Sequence, residues 1–107
     1  MLTIHCTLRA RPENTADLSA RLAIASQTYM RDAGTLSWTV HQSTSDLTAF
    51  MIVEMFADEA AKAVHEANPY FKEHNAIVKP WLVGFEVSLW RSLEGGYVPV
   101  EPVELKK

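Results

Sequence analysis

Between Leu2 and Leu8 the apolar residues Leu2, Ile4, Cys6 and Leu8 alternate with Thr3, His5 and Thr7. Period two predicts a strand whose two faces differ chemically, with His5 pointing away from Leu2 and Ile4. Pro12 ends that run. Asn14 then offers an N-cap oxygen, Asp17 falls in the first turn, and Leu18, Leu22, Ala25 and Tyr29 recur at four-three-four spacing. This spacing predicts a helix of about five turns, stopped by Gly34 just past its C-terminus. Alternation returns in TLSWTVHQS, with Leu36, Trp38 and Val40 opposite Ser37, Thr39 and His41. The turn residues STSD separate it from a third strand, TAFMIVEMF, and the two strands are expected to pair as a hairpin. Asp58 is placed to cap a second helix, EAAKAVHEA, with an apolar line Ala60, Val64, Ala67 that continues to Phe71. Pro69 forbids one unbroken helix, so Asn68 reads as a fresh cap with Pro69 at the first helical position. That second piece runs to about Val78, Pro80 breaks it, and WLVGFEVSLWRS supplies a fourth strand.

The order strand, helix, strand, strand, helix, strand is the split βαβ arrangement of ferredoxin-like α+β domains. It predicts an antiparallel sheet with helices on one face, in a single domain over residues 1–92. The opposite face keeps Thr, His and aromatic side chains, too apolar for plain surface. A second copy of the same sheet is the simplest cover, which predicts a homodimer. Residues 93–107 form a valine-rich tail interrupted by Pro99 and Pro102. Those prolines suit an arm packing on the dimer partner and not a central strand.

A length of 107 residues supports one domain with a real core. The 48% hydrophobic and 21% charged composition is that of a globular protein. A net charge of −3 without a Lys/Arg run argues against nucleic acid and anionic membranes as partners. Cys6 is the single cysteine, so no internal disulfide and no thiolate metal cage can form. The opening MLTIHCTLRA lacks the features of a signal peptide, and no run of about 18 apolar residues occurs. A cytoplasmic location is the expectation.

For chemistry, no His-x-x-x-His pair, no Gly-x-Gly-x-x-Gly, no Walker loop and no Gly-x-Ser-x-Gly elbow is present. No metal and no nucleotide cofactor are therefore expected, which restricts oxidative chemistry to what a substrate can largely do itself. His65 lies one position off the predicted apolar line, at the border of the buried face, where a histidine is half-desolvated and near its switching pH. A structural histidine bonded to a backbone carbonyl fits the same position. Glu54 interrupts the apolar strand FMIVEMF, and an unpaired carboxylate buried there is costly. It therefore needs a partner or a cavity, unless it sits in water at the sheet edge. If the two meet, Glu54 fixes the imidazole tautomer and raises its basicity, a base with its orienting partner. Trp38, Tyr70 and Phe71 are candidates to line a pocket, or equally to pack the core. His5 shares that ambiguity. His74 is a further candidate for substrate contact, its other reading being solvated surface.

FMIVEMFADEAAKAVHEANPYF resembles the antibiotic biosynthesis monooxygenase family. Members carry a strand ending in Glu-x-aromatic, an acidic-capped helix, a His, and a small-Pro-aromatic-Phe step. The corresponding residues are Glu54, Phe56, Asp58, His65, Pro69, Tyr70 and Phe71. Gly34, Trp38 and Pro12 match flanking family positions, and the resemblance spans about residues 2 to 91. It implies a ferredoxin-like fold dimerising sheet to sheet, a dimeric α+β barrel. It also implies oxygenation of an aromatic polyketide, anthrone or quinol by O2 without a bound cofactor. In that scheme His65 is the general base, Glu54 its orienter, and His5, Trp38, Tyr70, Phe71 and His74 contact the substrate. A heme-degrading branch of the family uses a strand-1 Asn, a helix Trp and a later His. The aligned residues, His5, His65 and Asn75, all differ, which argues against that reaction. A non-oxidative isomerase, cyclase or decarboxylase of the same fold is the alternative, and a non-catalytic small-molecule-binding dimer is another.

Overall fold

The computed structural model describes residues 1–96 of the chain. Strand β1 (Leu2–Ala10) leads through a short 3-10 turn (Pro12–Asn14) into α1 (Thr15–Tyr29). β2 (Thr35–Gln42) and β3 (Ala49–Phe56) follow, then α2 (Glu59–Ala67) and α3 (Pro69–Val78). A second 3-10 turn (Lys79–Trp81) delivers the chain to β4 (Leu82–Arg91). The sheet is antiparallel in the order β2-β3-β1-β4, the ferredoxin-like pattern predicted. The expected arm falls almost wholly in residues 97–107, outside the described part. Among the described residues no helix is long and apolar enough to cross a membrane.

Alternation in β1 and β3 sorts residues onto the two faces. Ile4, Cys6 and Leu8 stand opposite Glu54, Ile52 and Phe50, and all six turn toward the helices. α1 closes over them with Leu18, Leu22, Ala25 and Tyr29, the four positions its spacing predicts. Fully burying a Leu stabilises by about 1.5–3 kcal/mol, so this stripe anchors the helix layer. α1 is shorter than predicted, ending at Tyr29 and not near Gly34. Gly34 instead sits in the following turn at φ 84°, and its carbonyl accepts from the Ala57 N–H at 2.9 Å.

That glycine also overturns the predicted face of α2. A Cβ at Gly34 would overlap the Cβ of Ala61, so the helix approaches the turn most closely at Ala61. The Asp58 carboxylate accepts from the Ala61 N–H at 2.8 Å and locks the first turn in place. Ala61 and His65 are therefore the buried residues of α2, while Ala60, Val64 and Ala67 face outward. His65 lies in the middle of the buried face and not at its border. A second departure is Leu36, which is half exposed because the β2–β3 register shifts between Thr35 and Ser37. The bulge places Thr35 and Trp38 inward and leaves Leu36 out.

Beyond Gly84, β4 is exposed on both sides. Phe85, Val87 and Leu89 share the helix-facing side with Leu8, Cys6 and Ile4, yet no helix reaches them. Glu86, Ser88 and Trp90 lie on the other side, exposed.

Candidate active site

The break at Pro69 positions the site. The Asn68 side chain accepts from the Tyr70 N–H at 3.0 Å, starting α3, and its amide donates to Asp32 at 2.9 Å. The junction is thereby tied to the loop after α1, and a cleft lies between the helices and the sheet. The resulting cavity has a volume of about 780 Å³, within the range of small-molecule sites. Its floor is Ile4, Cys6 and Ile52, its helix wall Phe71 and Val78, and its open side is β4. Burial drives the Cys6 thiol up to about 12, with Glu54 adding to the effect, so Cys6 is a neutral, largely apolar floor residue.

Glu54 and His65 meet in the wall of this cavity. β3 is an internal strand, so Glu54 is not at a wet edge; it is 8% exposed and His65 3%. Glu54 Oε1 lies 3.3 Å from His65 Nε2. Burial raises the Glu54 carboxyl to about 7, while the Trp38 indole N–H, buried beside it without a well-formed bond of its own, acts in the opposite sense. Burial also lowers His65, against a raising influence from Asp32. Both shifts favour the uncharged forms, because burial penalises the charge on each. His65 Nδ1 is enclosed without a hydrogen-bond partner among the described residues, which leaves the Nε2 side, shared with Glu54, as the ring's polar edge toward the cavity. Tyr29, Phe56 and Phe71 surround the ring at centroid distances of 4.3, 5.1 and 5.2 Å.

Of the side chains singled out in the sequence, the structure brings His65, Glu54, Trp38, Phe71 and His74 to this one cavity. It does not bring His5, which is exposed on the opposite sheet face with its ring 6.1 Å from Trp90. Period-two alternation sends His5 away from Ile4 and Cys6, and those two floor the cavity. Tyr70 is also absent from the lining. It stacks behind the wall on His74 at 5.5 Å, under the Arg21 guanidinium at 5.2 Å from its ring centre. The aromatic pair of α3 thus turns toward the helix layer, not the open sheet face. His74 is buried, at 4%, and not solvated. Sequence reasoning missed Tyr29, whose helical spacing marked it as core but gave no sign of its contacts with both buried histidines. It also missed Arg21, which had no periodic signal. No group of three or more His, Cys, Asp or Glu side chains suited to a metal ion occurs among the described residues.

The family model for antibiotic biosynthesis monooxygenases matches residues 1–77 of the chain. A candidate antibiotic biosynthesis monooxygenase from Deinococcus radiodurans superposes with a TM-score of 0.84 at 22% identity, over 95% of this chain and 100% of its own. One from Nitrosomonas europaea does so with 0.82 at 16% identity, over 88% and 100%. A Pseudomonas aeruginosa protein gives 0.80 at 24%, over 87% and 94%. Likenesses this distant in sequence establish a shared fold. No protein of curated function matches the chain significantly.

Proposed function

The chain belongs to the antibiotic biosynthesis monooxygenase family, and from that premise we propose that it is a cofactor-independent monooxygenase acting with O2 on an aromatic polyketide, anthrone or quinol. The observation that carries the reading is the Glu54–His65 contact of 3.3 Å in the lining of a largely apolar cavity. An acidic ring hydroxyl or anthrone C–H set against this pair transfers its proton to His65 Nε2, and Glu54 steadies the resulting imidazolium. The electron-rich anion gives one electron to O2. Substrate radical and superoxide then couple, forming the carbon–oxygen bond. The peroxide takes the proton back from His65 and loses water, leaving one oxygen atom on the ring as a carbonyl and the other in the water. Trp38 and Phe71 confine the flat substrate, and exclusion of solvent strengthens each polar contact.

The protein acts as a homodimer in this proposal. β4 supports it: Phe85 is 62% and Leu89 61% exposed, apolar surface that a second copy can cover. Oxygen uptake with an anthrone and hydroquinone panel tests the activity. The expected result is turnover that needs O2 and falls by about 10²–10⁴-fold in His65→Ala. Undiminished rates in that variant remove His65 from the mechanism. Turnover that persists without oxygen assigns a non-oxidative isomerase, cyclase or decarboxylase, and tight binding with the ligand recovered unchanged assigns a carrier.

A further inference from the structure

Arg21 and His74 make a contact that the proton-transfer scheme does not use. Arg21 Nε donates to His74 Nδ1 at 3.3 Å, linking α1 to α3. A guanidinium has five donors, no acceptor and no proton to lose, so the His74 nitrogen facing it must carry a lone pair. The single proton of a neutral imidazole then belongs to Nε2. Tyr70 covers one ring face in a stacked arrangement, 22° from parallel, and Tyr29 meets the ring edge-on at 88°. His74 lines the cavity, and its Nε2 has no hydrogen-bond partner among the described residues. Arg21 Nη2 is itself buried without a partner among them, so this guanidinium is directed at an uncharged ring and at the Tyr70 face, not at a carboxylate.

We propose that His74 is a neutral hydrogen-bond donor in the cavity, held in its Nε2–H form by Arg21, and that it binds a carbonyl or phenolate oxygen of an aromatic ligand. The inference rests on the reading of this cavity as an aromatic ligand site. It adds a polar anchor besides the base pair, so that a ligand carries an acceptor oxygen as well as an acidic position. Arg21 is a positioning residue and acts through His74. The charged and titratable groups around the ring are Arg21 and Tyr29 on α1, His65 on α2 and Tyr70 on α3. Burial, then Arg21, then His65 push His74 down to about 4, in keeping with a ring that is neutral near neutral pH. Such a donor polarises a ligand oxygen without ever surrendering a full proton to it.

Two measurements on the full chain test this. Nitrogen-15 NMR of the imidazoles between pH 5 and 8, assigned with His74→Gln, is expected to show a protonated Nε2 and an unprotonated Nδ1 throughout. In Arg21→Met the expected result is a mixture of tautomers. A protonated Nδ1, or an imidazolium appearing near pH 6 in the parent protein, overturns the proposal whether or not the protein is an oxygenase. The second measurement compares binding of fluorenone with that of fluorene, which lacks the carbonyl. The parent is expected to prefer fluorenone by about tenfold, the cost of leaving a buried donor unpaired. His74→Phe should lose the preference and His74→Gln, whose amide can donate, should recover part of it. Equal affinity for the two probes in the parent, or an unchanged ratio in His74→Phe, overturns the role of His74 alone. Failure of both probes to bind overturns the aromatic-site reading and this proposal with it.

Discussion

His65 and His74 are the same residue type, on consecutive helices, equally buried and packed against the same Tyr29 ring. Their neighbours have opposite charge. His65 faces a carboxyl that itself resists ionisation, whereas His74 faces a guanidinium that cannot lose its charge. Burial alone lowers both. The partner then decides the chemistry: beside Glu54 a protonated ring gains a counter-charge, and beside Arg21 it meets repulsion. One cavity can thus hold a proton acceptor and a fixed donor made from one kind of side chain.

Removing one ring at a time breaks the contrast most severely at the pair. The kcat in His65→Ala should drop by about 10²–10⁴-fold while KM changes little, measured by oxygen uptake. His74→Phe should show the reverse split, with KM raised about tenfold and kcat changed less.

Displacing one histidine without the other sharpens the comparison. Gly34→Ala adds a Cβ that overlaps Ala61 and forces a side chain onto a φ of 84°. A loss of about 2–3 kcal/mol in urea unfolding is expected, in line with overpacking. α2 should shift with His65, so that catalysis falls while the Arg21–His74 tautomer signature is kept.

Opposite slopes of stability against pH should separate the two regions more gently. Glu54 has a folded pKa near 7, above its unfolded 4.5. The folded state therefore holds the extra proton between those values, and stability present below pH 4.5 is lost as pH rises through 7, at most about 1.4 kcal/mol for each pH step of one across that window. Glu54→Gln should flatten that decline in urea titrations from pH 4 to 8. His74 behaves inversely. Its folded pKa, near 4, lies below the unfolded 6.5, so the unfolded chain binds the extra proton and stability falls as pH drops from 6.5 toward 4. The two windows overlap between about pH 4.5 and 6.5, where the opposite slopes offset each other, so His74→Gln should steepen the decline that Glu54 causes there. A substitution at either Glu54 or His74 that removes both slopes at once would show that the two sites share one proton network and do not act separately.

Legibility of the fold and the site varied with the range of the interaction that decides each feature. The α2 bounds, the Asp58 cap, the Asn68–Pro69 restart and the buried stripe of α1 follow from neighbours within one or two turns, and sequence patterning predicts them all. Leu36 defeats the alternation because a bulge is a property of two strands, invisible in either alone. The Ala60–Val64–Ala67 line is as apolar as the true buried face, so composition cannot choose between them. The close approach at Gly34 does. Glu54 and His65 are recognisable as candidates from a polar residue in an apolar strand and from family resemblance. Their 3.3 Å separation depends on how far α2 turns, and Arg21 with His74 depends on two helices 53 positions apart in the chain.

By itself the sequence determined the order of elements, the Asp58 and Asn68 caps and the break at Pro69, and the alternation that puts Ile4, Cys6, Ile52 and Glu54 on one face and His5 on the other. Those are consequences of local backbone geometry and of a period that each segment carries within itself. The Asn14 cap expected for α1 does not form, its amide donating to Asp17 instead. Tertiary structure alone decided which side of the sheet holds the cavity, which face of α2 is inside, and which charge stands beside each buried histidine. The reason is physical: rotation and contact between elements are set by the closest packing of surfaces brought together from distant parts of the chain, and a difference of one residue in that rotation exchanges an exposed Val64 for a buried His65.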